Sequence, residues 1–294
     1  MADGPAILFR RFARGIVAGM DEAPALVETY RGGVAAWECD AFGHLNIAFY
    51  VERFADAALD FLERGAPGRR WRTLALDTFY DRELRAGEGL AIRSGLVSAD
   101  ENSVLLAHEA SATASGERMT RVEHVLAPVA GDLSRALLPA PVAWERFPAP
   151  SLPAGEGRIP AGRNRVKPWE AAEGSLALLG FVHRFSDACL HVIEAIGMTD
   201  SYRRSANRGF ATFETRLRMI ERAAVGEGVV ITSGVVAVGT SSLRMLHRLR
   251  ATGDNRLLAQ FYQAGVHFDL ASRRSAPWPQ SLRDEARSLA IATD

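Results

Sequence analysis

The sequence predicts an α+β chain built from two tandem copies of one unit, each a long helix packed on a mainly antiparallel sheet. Two internal matches and one periodicity carry that prediction. Val51–Phe61 (VERFADAALDF) returns as Val182–Val192 (VHRFSDACLHV) at an offset of 131, with six of eleven positions identical, Arg53/Arg184 and Phe54/Phe185 among them. Gly87–Thr113 returns as Gly226–Thr252 at an offset of 139, with eleven of twenty-seven positions identical, including His108/His247. The change from 131 to 139 places eight extra residues between helix and sheet in the second copy.

The elements follow in order. A short strand is expected over Thr29–Ala36, then a turn, then a helix from about His44 to Glu63. In that helix Leu45, Ala48, Phe49, Val51, Phe54, Ala57, Ala58 and Phe61 recur at the three-to-four spacing of a buried stripe. Strands are expected near 73–80, 89–98, 103–114 and 118–127. The third alternates, with Val104, Leu106, His108, Ala110 and Ala112 on one face. Asp100-Glu101-Asn102 and Ser115-Gly116 read as hairpin turns.

Seven of the thirteen prolines fall within 128–160, so this stretch reads as an extended, stiff strap. Such a strap can carry the chain across one unit so that the two copies pair as an intrachain pseudo-dimer. The expected organisation is an N-terminal extension over 1–24, a first unit over 25–140, a linker over 141–164, a second unit over 165–279 and a tail over 280–294 with a short helix. Ile7–Met20 is Arg-rich and acid-free but lacks the uninterrupted apolar core of a secretory signal. It reads as a frayed helix, or as residues preceding a true start at Met20.

With 294 residues, 48% of them apolar, and no net charge, the chain has the composition of a globular protein. The balanced charge gives no footprint for nucleic acid or an anionic membrane. The two cysteines, Cys39 and Cys189, have no metal or disulfide-framework spacing, and a reduced cytoplasmic setting is expected. Serine-hydrolase elbows, zinc motifs and phosphate-binding glycine loops are absent, and no cofactor is expected.

One stretch carries chemistry: Trp37 to Tyr50, W-E-C-D-A-F-G-H-L-N-I-A-F-Y. A lone acid before a helix can act as nucleophile or base while the helix N-terminus stabilises an oxyanion. Asp40, Gly43, His44 and Asn46, the following Tyr50, and the long helix and sheet resemble the hotdog-fold thioesterases of the 4-hydroxybenzoyl-CoA thioesterase type. The resemblance spans both copies, from about residue 25 to 279, and is nearest to tandem bacterial acyl-CoA thioesterases. Tyr30-Arg31-Gly32 before the motif and Arg208 to Glu214 (RGFATFE) in the second copy belong to it. It implies two tandem hotdog domains and hydrolysis of an acyl-CoA substrate in the cleft between them. Asp40 would attack the thioester carbonyl or activate water.

In the second copy, aligned through the helix, Asp40 becomes Ala171, His44 becomes Ser175 and Asn46 becomes Ala177, while Gly43 stays as Gly174. One competent site per chain is therefore expected, with the second copy supplying the opposite wall.

Backbone N–H groups around His44 to Asn46 would begin the helix and face the oxyanion, and Gly43 would permit close approach of the backbone. His44 binds substrate or holds the loop; Asn46 orients Asp40 or water, or caps the helix. Asp40 itself has helix capping as its alternative. Tyr50 is expected to line the substrate cleft; Glu214 either lines it opposite Asp40 or takes a surface or structural place, the more readily read of the two, with Asp77 in a similar place in the first copy. Cys39, His108 and His247 read more readily as buried structural residues. Arg69-Arg70-Arg72, Arg203-Arg204-Arg208 and Arg273-Arg274 are candidates for the CoA phosphates. A hotdog hydratase or dehydratase, and a non-catalytic acyl-CoA or acyl-carrier binding module, are the alternatives. Association of two double-unit chains is also open.

Overall fold

A computed structural model describes residues 25–40, 42–131, 133 and 138–292. The Arg-rich stretch Ile7–Met20 lies outside the described residues. The first unit comprises β1 (Val27–Gly33), α1 (Ile47–Gly65), β2 (Trp71–Tyr80), β3 (Gly89–Ala99), β4 (Val104–Ala112) and β5 (Arg118–Pro128). The second repeats them as β6 (Ile159–Arg165), α2 (Leu178–Ala195), β9 (Arg208–Met219), β10 (Gly228–Val238), β11 (Ser242–Ala251) and β12 (Leu257–Asp269). A two-strand hairpin, β7 (Ala171–Ala172) with β8 (Ser175–Leu176), precedes α2. The eight extra residues between the matched segments accommodate α3 (Asp200–Ala206), capped by the Thr199 side chain.

All the strands but that hairpin form one sheet, in the order β1-β3-β4-β5-β2-β9-β12-β11-β10-β6, with β13 (Arg274–Ser275) on β12. Each half has the same strand order read inward from its own edge. The halves meet where β2 pairs antiparallel with β9, from Ala75–Arg218 to Phe79–Glu214. The two helices pack against each other on one face of the sheet. Phe54 and Ala57 of α1 and Phe181, Phe185 and Ala188 of α2 share a single core with Leu76, Leu217, Leu249 and Phe261 of the sheet. Burying a side chain of that size contributes roughly 1.5–3 kcal/mol, so the two units stabilise one another through a common interior. These are two tandem hotdog units paired within one chain.

The strap crosses the other face. Val142 N–H donates to Leu96 O of β3, Phe147 N–H to Glu123 of β5, Arg216 of β9 to Pro148 O, and Arg248 of β11 to Pro153 O. Val122, Leu217 and Leu249 are in the core beneath the helices, so by strand alternation Glu123, Arg216 and Arg248 lie on the strap side. The Phe79 and Phe147 rings, 4.4 Å apart, add an apolar clasp. Residues 159–165, the end of the stretch expected as linker, form β6 and pair with β10 as β1 pairs with β3. The tail carries α4 (Gln280–Ser288), whose Ala286 is fully buried in a cluster with Trp278 and Ile193.

Candidate active site

The motif loop is a small hairpin rather than the first turn of α1. Cys39 pairs with Leu45, and Asp40 N–H donates to His44 O at 2.7 Å. Asp40 Oδ1 accepts from the N–H groups of Phe42 (2.8 Å) and His44 (3.1 Å), closing the loop as Asx turns do. That leaves Asp40 Oδ2 facing His44 Nδ1 at 3.9 Å, on a side chain 38% exposed. Gly43 sits at φ +77°, which only glycine adopts without strain, and open space surrounds the position where a Cβ would stand.

Helix α1 begins at Ile47, three residues later than expected, because Asn46 is its cap: Asn46 Oδ1 accepts from Ala48 N–H at 3.0 Å. Asn46 therefore takes the capping role that was one of its two readings, and Asp40 does not cap. The N–H groups of His44, Leu45 and Asn46, expected to be free donors, are already engaged by Asp40 Oδ1, Leu84 O and Glu38 O. The free donor lies one position further on. Among the described residues the Ile47 N–H has no partner, and as the first orphan of the helix it carries the positive end of the dipole.

Asp40, His44, Asn46, Ile47 and Tyr50 line one cavity of about 170 Å³. Its far wall comes from the second unit, including Ser186 and Cys189 of α2, Thr212 of β9 and Gln263 of β12. Tyr50 is buried, its phenol pushed above the ordinary value by desolvation, and its hydroxyl accepts from Leu84 N–H at 3.2 Å. It thereby holds the loop between β2 and β3. That loop brings Glu83, whose Oε2 is 3.2 Å from His44 Nε2, and Arg273 from the second unit reaches both. Burial pulls the His44 imidazole below its usual pKa against the opposing pull of Glu83 and Asp40.

Glu214 is not in this cavity. It pairs with Arg216, which in turn holds Asp77, on the strap side of the sheet. The cause is a β-bulge. In the β9–β12 register Gly265 faces Thr212 and Ala264 faces Glu214, so Phe213 is extra. Strict alternation from Thr212 would have put Glu214 into the cleft; the bulge turns it to the other face. The first unit has the same bulge at Leu74, so Asp77 is turned away in the same manner.

The hairpin also corrects the alignment of the copies. Ala171 pairs with Leu176 as Cys39 does with Leu45, which makes Ala172, not Ala171, the counterpart of Asp40. The first copy has one more loop residue, and the second still has no carboxylate there. His108 and His247 are fully buried and bonded to Ser94 and Ser233 at 2.6 and 2.7 Å, away from the cavity lining. Cys39 Sγ contacts Ala35 O. Of the three Arg groups, Arg273 touches the motif, while Arg70 pairs with Glu173 and Arg208 with Asp269.

Sequence reasoning missed Glu83 and the polar far wall. The same comparison that isolated Asp40 could have found Glu83, since the 139 offset sets it against Arg222.

The thioesterase-like superfamily model matches residues 34–150 and 176–285, once on each unit. The chain belongs to the thioesterase-like superfamily. It is thus a thioester hydrolase of double-hotdog form. No curated protein sequence gives a significant match.

Similar solved structures include a putative oleoyl thioesterase from Lactobacillus plantarum (10% identity, TM-score 0.66), aligned over 82% of this chain and 96% of that one. An acyl-ACP thioesterase from Bacteroides thetaiotaomicron (10%, 0.62) aligns over 81% and 96%. The 12:0-ACP thioesterase from Umbellularia californica (11%, 0.62) aligns over 81% and 93%. At these identities the likeness is one of fold. No helix among the described residues is long and apolar enough to cross a membrane.

Proposed function

We propose that this superfamily member hydrolyses an acyl-CoA thioester at the motif-bearing cleft between its units, with Asp40 as the attacking or proton-accepting carboxylate. One observation carries the reading: a carboxylate oxygen with no close donor among the described residues, Asp40 Oδ2, and an Ile47 N–H with no partner among them belong to residues that line the same cavity. Asp40 Oδ1 is fixed by two N–H groups, which orients Oδ2 without further cost at the moment of reaction.

Attack on the carbonyl carbon, by Oδ2 or by a water that Oδ2 deprotonates, places negative charge on the carbonyl oxygen. The Ile47 N–H and the helix dipole stabilise that charge. Collapse expels the CoA thiolate, a good leaving group because thiols ionise near pH 8.5. After attack by Oδ2 a water cleaves the resulting Asp40 anhydride, and after attack by water the proton held on Asp40 passes to the thiolate. His44, neutral, holds its Nδ1 edge toward Asp40, and Arg273 and Glu83 hold the ring.

The test is hydrolysis followed with a thiol reagent across short, aromatic and longer acyl-CoA substrates. Asp40→Asn should lower turnover by at least about 10²-fold while acyl-CoA binding persists. Unchanged hydrolysis in that variant would sink the role given to Asp40.

A further inference from the structure

Two aromatic rings meet across the mouth of the cleft. Phe42 of the motif loop stands edge-on to Phe268 of β12, with ring centroids 6.1 Å apart, and both residues line the cavity. Phe42 is 36% exposed and forms the rim, whereas Phe268 is buried. The Phe42 ring also lies beside the His44 ring, at 6.3 Å, and Glu83 approaches the Nε2 edge of that imidazole at 3.2 Å. Phe42, His44 and Glu83 thus stand in a row. The Glu83 side chain is 37% exposed. Its Oε2 takes the contacts with His44 and Arg273, while its Oε1 has no hydrogen-bond partner among the described residues.

The row belongs to this cleft alone of the two related positions. The extra residue of the first hairpin falls at Ala41–Phe42, where the second has Glu173. The sheet offset of 139 sets Phe268 against Val129 and Glu83 against Arg222. What packing requires is shared by the two copies; this rim is confined to the copy that carries the carboxylate.

Charge fixes which end of a thioester passes the rim. The phosphates of CoA stay in water, because burying an unpaired ionised group is too costly. With the thioester carbonyl at Asp40, the acyl chain then points inward and the thiol arm leaves over the exposed Phe42 and Glu83. We propose that this rim binds the secondary amide two methylenes from the sulfur in the pantetheine arm. Glu83 Oε1 accepts the amide N–H, and the Phe42 ring packs against the amide plane. The inference rests on the acyl-CoA reading above. A carboxylate oxygen only accepts, so the N–H meets it and the amide carbonyl turns toward water. Hydrogen bonds to an ionised acceptor are about twice as strong as neutral ones.

The experiment is calorimetric titration with two hydrolysis-resistant thioethers: S-butylpantetheine, and its analogue with an ester oxygen in place of the nearer amide N–H. The exchange removes one donor and keeps the shape. The wild-type protein should bind the amide at least about tenfold more tightly, because a site that bonds an N–H rejects the analogue lacking it. Glu83→Ala, checked for unaltered thermal unfolding, should bring that ratio toward one. Should Glu83→Ala unfold, Glu83→Gln keeps the shape without the charge and should lower the ratio. Phe42→Ala, at an exposed loop position, should weaken both ligands by about fivefold through the lost aromatic contact.

Equal wild-type affinities, binding of neither ligand, a ratio that survives substitution of Glu83, or unchanged affinities in Phe42→Ala would overturn the assignment. The readout needs no turnover. A protein that prefers the amide but hydrolyses no thioester refutes the proposed reaction and leaves the amide site standing. One that hydrolyses acyl-CoA without the preference refutes the amide site alone.

Discussion

Arg273 of the second unit places its guanidinium Nη2 2.8 Å from Nε2 of His44 in the first, across 229 positions of sequence. A guanidinium can only donate, so this contact asks Nε2 to accept, while the Glu83 carboxylate, 3.2 Å from the same nitrogen, can only accept. The second unit has no carboxylate at the matching position, yet it sets a cation against the histidine beside the first one.

Removing that cation should raise the His44 pKa. Burial lowers it and Arg273 lowers it further, whereas Glu83 and Asp40 oppose both. In Arg273→Ala the carboxylates act on the imidazole without that opposition, and the protonated form gains. Titration of the His44 ring by NMR should show the pKa moving upward. A pKa that stays or falls would show that the contact does not govern the ring.

The twin ion pairs at the base of the helices should differ in strength. Arg53 and Glu38 are 7% and 8% exposed, while Arg184 is 6% exposed against a Glu170 at 29%. Arg53→Met strands a buried carboxylate and should cost about 3–5 kcal/mol. Arg184→Met leaves Glu170 able to hydrate and should cost less. Urea unfolding of the two variants measures the difference; equal losses would count against burial as its cause.

Glu214 should matter for stability and not for turnover. It lies on the strap side, bonded to Arg216, so Glu214→Gln should weaken folding by about 1.5–3 kcal/mol, the range for bonds to charged groups. Hydrolysis rates under folding conditions should be unchanged. A large fall in kcat in a fully folded variant would return Glu214 to the cleft.

Acid should destabilise the fold before it reaches ordinary carboxylate pKa values. Burial pushes His124 and His247 down to about 3 and His108 well below 6.5. The unfolded chain then binds more protons below pH 6.5, so their contribution is fully present above that pH and is lost as pH falls toward 3. The slope is up to about 1.4 kcal/mol per pH unit for each histidine. Denaturant midpoints at pH 5 and pH 7.5 should differ accordingly, and His124→Phe should narrow the gap.

The duplication, the element order and the asymmetry of the motif were legible in the chain because each is a pattern of neighbours along the sequence. Phe54 and Phe185 mark the same buried stripe in both helices, and Asp40 stands where the second copy has alanine. Helix α1 starts three residues beyond the expected His44, since Asn46 caps it and the hairpin pairing of Cys39 with Leu45 keeps the residues before it out of the helix.

Glu214 could not be placed from alternation, because one bulged residue at Phe213 inverts the face of everything after it. Nor could Glu83, Arg273, Gln263 and Ser186 be gathered from sequence, as they lie on four different segments. Sequence by itself determined that there are two hotdog units and one carboxylate-bearing motif. The tertiary structure decided which residues meet Asp40, because pairing β2 with β9 and packing α1 on α2 bring into one cavity groups that no local spacing relates.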